Sequence, residues 1–82
     1  MTSSVEKTIE QRVQEIIVRT LRISASNSTI PLRLGSTPGW DSMGHMNVVI
    51  QVETEFGVQF PPYLLPELVD VPSIAKTLAT LN

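Results

Sequence analysis

The sequence predicts an all-α fold: a bundle of four helices with a long loop between the first two and a short third helix. Apolar residues recur at spacings of three and four in separate stretches, and no stretch alternates convincingly at the period of a strand. Turn and stop residues fall between those stretches, at Thr37-Pro38-Gly39, Gly57 and Pro61-Pro62. A chain of 82 residues leaves room for one domain, 1–82, with one thin core.

The first helix is expected to begin near Ser3, which with Glu6 has the form of a capping box. Val5, Ile9, Val13, Ile16, Ile17, Thr20 and Leu21 make its apolar face. Glu15 and Arg19 stand one turn apart in the favourable order, and Arg19 and Arg22 suit the negative end of the helix dipole. The helix should stop near Ile23, before the polar run from Ser24 to Thr29. A connection as long as 24–40 needs anchoring, and Ile30, Leu32 and Leu34 are spaced to supply it.

The second helix is expected from Asp41 or Ser42 to Phe56, with Asp41 as N-cap and Gly57 as the left-handed residue that ends it. It carries two apolar stripes. Val48, Val49, Val52 and Phe56 should face the core, which leaves Met43, Met46 and Ile50 exposed as a candidate contact surface. Tyr63, Leu64, Leu65, Leu68 and Val69 should form one or two turns, kept short by Pro66, with Tyr63, Leu64 and Leu65 at the core or its rim. The last helix is expected to start near Asp70-Val71-Pro72 and to bury Val71, Ile74, Ala75, Leu78 and Leu81.

Composition narrows the function. The chain has no cysteine, which excludes disulfides, thiolate metal sites and cysteine nucleophiles, and favours a cytoplasmic location. Charges interleave with the apolar positions near the N-terminus, so no signal peptide is visible. No run approaches the roughly 18 apolar residues of a membrane span. A net charge of -2 speaks against general nucleic-acid binding. The charge is uneven: residues 1–33 carry +2 and residues 34–82 carry -4, so the second half is the better face for a basic partner.

The informative stretch is Gly39-Trp40-Asp41-Ser42-Met43-Gly44-His45-Met46-Asn47. It places a serine hydroxyl at a loop-to-helix junction, where unpaired N–H groups and the helix dipole favour a phosphate ester. Read locally, Ser42 is more simply a helix cap, since serine is common at helix starts. At these residues the chain resembles the acyl carrier protein family. Asp41-Ser42-Met43 is similar to the family's attachment motif. The resemblance continues through Glu53-Thr54-Glu55-Phe56-Gly57, Val58-Gln59-Phe60-Pro61 and Val71-Pro72-Ser73-Ile74, and so covers essentially the whole chain.

The resemblance implies an acyl-carrier-like bundle and a carrier, not an enzyme. A phosphopantetheinyl transferase would move 4′-phosphopantetheine from coenzyme A to Ser42. The thiol of that group would hold an acyl intermediate as a thioester and present it to acyl-loading and acyl-processing enzymes. Asp41, Met43, Met46, Ile50 and Glu53 would face those partners. The reading is of a monomeric, free-standing protein, opening on Met1 and ending soon after its last helix. Gly44, Asn47 and Thr54 stand where carriers of bulk fatty acid synthesis often have acidic residues. That favours a specialised lipid, polysaccharide or secondary-metabolite pathway. An aminoacyl carrier of the D-alanyl type and a housekeeping fatty-acid carrier are the alternatives, with a helical interaction module as the reading from a different class.

Other readings are weaker. Asp41, Ser42 and His45 superficially resemble a hydrolase triad, but no walled site with an oxyanion hole is visible. His45 is the sole histidine and has no cysteine company, which makes it a poor metal ligand. Packing beside the loop or, on the family reading, contact with the phosphate are its better roles. Trp40 reads as a packing residue that closes the loop over the helix start. Glu53 and Glu55 read most simply as solvated charges.

Overall fold

The computed structural model describes residues 7–23 and 31–81. It is all-α: α1 spans Ile9–Leu21, α2 Ser42–Phe56 and α3 Val71–Leu81, with a 3-10 helix at Pro62–Glu67 between the last two. The described residues contain no strand, only an isolated antiparallel bridge between Arg33 and Asp70. Among them, no helix is long and apolar enough to cross a membrane.

α1 is the wall against which both α2 and α3 pack. Val13, Ile16 and Ile17 from α1 meet Val48, Val49 and Val52 from α2, and Val71, Ile74 and Leu78 from α3. Leu32, Trp40, Phe60 and Leu68 close the core from the connections. The predicted core face of α2 is therefore right at its three valines. Phe56 is only half-buried, its ring covered by the Arg12 guanidinium carbon 4.1 Å from the centroid. Leu81 lies in the last turn of α3 and is 37% exposed, against expectation.

α1 begins later than the apolar pattern suggests. Thr8 is extended and caps Gln11 N, while the Gln11 side chain caps Thr8 N in return. The proposed Ser3–Glu6 box and Val5 lie outside the described residues. α1 also ends slightly early. Arg22 adopts a left-handed conformation (φ 55°), and Ile23 N donates to Val18 O across the end. Glu15 and Arg19 do not pair with each other. Glu15 binds Lys7 at 2.8 Å, and Arg19 reaches Glu55 of α2 at 2.7 Å.

The long connection is pinned by backbone bonds as well as apolar contacts. Leu32 is buried and Leu34 half-buried; Ile30 lies outside the described residues. Leu34 N donates to Val69 O, and Arg33 and Thr37 bond each other through Arg33 N to Thr37 Oγ1 and Thr37 N to Arg33 O. Thr37-Pro38-Gly39-Trp40 is a turn closed by Trp40 N to Thr37 O at 3.0 Å, with Gly39 at φ 85°. This is the type II pattern, with proline then glycine at the two central positions.

Candidate functional site

The turn delivers the chain to the start of α2. Asp41 is the N-cap, its carboxylate accepting from Gly44 N at 2.9 Å, and Ser42 is the first helical residue. Ser42 is exposed. Its hydroxyl therefore stands at the positive end of a helix of 15 residues. The helix ends as expected at Gly57, left-handed at φ 65°.

The first turn of α2 sits unusually close to the preceding turn. A Cβ on Gly44 would overlap the Gly39 carbonyl oxygen and lie 3.1 Å from Leu21 Cδ2. Gly44 is therefore needed for space, and its helical backbone is ordinary. It is buried, which removes it from the positions where a missing surface carboxylate could matter. Asn47 and Thr54 are exposed and remain such positions.

Behind Ser42, Trp40 and His45 are both buried. The Trp40 indole N–H donates to His45 Nδ1 at 3.0 Å, and His45 Nε2 lies 2.9 Å from the Leu65 carbonyl oxygen. The expected packing role of Trp40 is thus joined by a specific hydrogen bond. Both imidazole nitrogens are used, so neither holds the Ser42 hydroxyl or is open to a metal. A cleft of about 480 Å³ opens beside Ser42, with mainly apolar walls from Leu34, His45, Leu65 and Pro66.

The exposed stripe on α2 is present. Met43 is 79% exposed, and Met46 and Ile50 are each 49% exposed. Met43, Met46 and Ile50 follow Ser42 down the helix, on the side away from the buried valines. Glu53 differs from the solvated charge expected of it. It is half-buried, and its carboxylate accepts from Phe60 N at 2.8 Å, tying the 57–60 segment to α2. Tyr63 is 75% exposed and belongs to neither core nor rim; Leu64 and Leu65 are half-buried.

The walls at Leu34 and Pro66 were not singled out as site residues from the sequence, because they come from segments far apart in the chain. The Trp40–His45 bond had a signal. A buried indole needs an acceptor, and the sole histidine stands five residues on. Comparisons of the chain with family models, curated proteins and solved structures found no match.

Proposed function

We propose that this protein is a carrier whose Ser42 takes a 4′-phosphopantetheine group from coenzyme A. The observation that carries the reading is an exposed serine hydroxyl at the first position of a capped helix, beside an apolar cleft. In the transfer, Ser42 Oγ gives up its proton to the transferase. A new O–P bond forms at Oγ, the diphosphate bond of coenzyme A breaks, and adenosine bisphosphate leaves.

The residues present fit such a group. The free N–H groups and dipole at the start of α2 favour a phosphodiester at Ser42. The nearest carboxylate, Asp41, already accepts from Gly44 N. The cleft offers apolar walls to the portion of the arm next to the serine. When attached, the group supplies a thiol that holds an acyl chain as a thioester. The domain itself acts as a handle, and catalysis belongs to the enzymes that visit it.

Those visitors would dock on Met43, Met46 and Ile50, with Asp41 beside the attachment point. Glu53 takes a lesser part in this reading, since its carboxylate holds Phe60 N. Uncharged Asn47 and Thr54 on the exposed surface weaken electrostatic steering toward basic partners. This supports service in a specialised pathway over bulk fatty acid synthesis. The helices and connection 31–40 fit an acyl-carrier-like bundle in order and spacing.

The test is incubation with coenzyme A and a broad-specificity phosphopantetheinyl transferase. The intact mass of wild type should rise by one phosphopantetheine. Ser42→Ala should keep its melting temperature and gain nothing. A folded wild-type protein that resists several transferases would remove the reading.

A further inference from the structure

The tautomer of His45 can be assigned from its two neighbours. An indole N–H only donates, so His45 Nδ1 must carry a lone pair toward Trp40. A backbone carbonyl only accepts, so Nε2 must carry the proton toward Leu65. The ring is thereby the neutral Nε2–H form with both nitrogens satisfied. It links the 37–40 turn, the first turns of α2 and the 3-10 helix.

That link matters most for the 3-10 helix. No residue of Pro62–Glu67 is buried, and Pro66 removes a backbone donor. Yet Leu65 and Pro66 form one wall of the cleft beside Ser42. Beside the packing of Leu65 on the core, the bond from His45 ties this wall to α2 on the cleft side.

We propose that His45 is a positioning residue for the Ser42 site. As the Nε2–H tautomer it holds the 3-10 helix as the cleft wall, because the Trp40 N–H fixes Nδ1 as the acceptor and so aims the Nε2–H at the Leu65 carbonyl.

The charged groups on the surrounding elements are otherwise engaged or exposed. On the loop, Asp41 binds Gly44 N and Arg33 pairs with Asp70. On α2, Glu53 binds Phe60 N and Glu55 pairs with Arg19. On the 3-10 helix, Tyr63 and Glu67 are exposed. The structural half of this proposal stands apart from the carrier reading; its consequence for transfer to Ser42 rests on it.

The test uses the full-length, unmodified, nitrogen-15-labelled protein. Side-chain nitrogen shifts should report His45 as the Nε2–H tautomer. Exchange protection of the Leu64 and Leu68 amides should fall about fivefold or more in His45→Asn, which keeps an acceptor near Nδ1 but is too short for Leu65. In His45→Gln the amide N–H can reach the Nε2 position, so protection there should stay near that of wild type. Protection at Val13, Ile17 and Ile74 should hold in both variants.

Transfer to Ser42 should follow the same order: slowed in His45→Asn and rescued in His45→Gln. An Nδ1–H tautomer would overturn the proposal. So would His45→Asn protected like wild type. Protection that behaves as described in a protein that no transferase modifies would uphold the latch and remove the carrier reading.

Discussion

At its Ser42 end, α2 rests on backbone and polar groups: the Gly39 carbonyl against Gly44, Asp41 on Gly44 N, and Trp40 and Leu65 on the His45 ring. At its Phe56 end it rests mainly on side chains: buried Val52, a half-buried Phe56 under Arg12 and a Glu55–Arg19 pair, with Glu53 accepting from Phe60 N. Backbone contacts cannot rotate out of the way, whereas side chains repack. One end of the helix is therefore built for fixed placement and the other for tolerance. The exposed serine stands at the fixed end.

The two glycines of α2 and its cap put the contrast most sharply. Helix propensity alone would make Gly44→Ala stabilising by about 1 kcal/mol. Overlap with a backbone carbonyl outweighs that gain, because no rotamer relieves it. We expect a net loss of about 2 kcal/mol or more, in the upper range of overpacking. Gly57 has open space around its Cβ position and is required only for its left-handed backbone. Gly57→Ala should cost about 1 kcal/mol. Denaturant titration of both variants decides it; equal losses would mean that the Gly39–Gly44 approach is not as close as described.

Along α2, the stripes should separate in the same way. Val52 is fully buried, so Val52→Ala should cost about 2–3 kcal/mol. Met43→Ala should stay within about 0.5 kcal/mol, as surface changes do, while weakening capture by the transferase. Thermal melts with transfer kinetics check both halves.

The smallest effect lies at α3. The Asp70 carboxyl is held below its ordinary range, first by the hydrogen bond from the Ser73 hydroxyl, then by Ser73 N and the Arg33 charge, against a desolvation that opposes them. Because the folded value is the lower one, this contribution is present above the unfolded value of 3.8. It is lost as pH falls through the folded value. Asp70→Asn should therefore flatten the acid limb of stability below about pH 4 and leave His45 protection unchanged. Urea melts across that range measure it.

Much of this was legible in the sequence. The bounds of α2 follow from Asp41 and Gly57, and its buried valines and exposed methionines from spacing alone. The start of α1 did not follow, because Ser3–Glu6 and Thr8–Gln11 both have a capping form and apolar spacing continues through Val5. Phe56 continues the valine stripe in register, yet its depth depends on the first turns of α1 beside it, where Arg12 covers its ring. Gly44 reads as an ordinary surface gap, since its contact with Gly39 exists only once the turn has folded back. The role of His45 needed three segments brought together, two of them distant in sequence.

The most direct measurement is peptide-level mass mapping after treatment of the folded protein with coenzyme A and a phosphopantetheinyl transferase. The phosphopantetheine should sit on Ser42 alone, with Ser36 and Ser73 unmodified, although Ser36 is also exposed on the neighbouring turn. Modification at another serine, or none on a protein shown to be folded, would contradict a carrier built around the fixed end of α2.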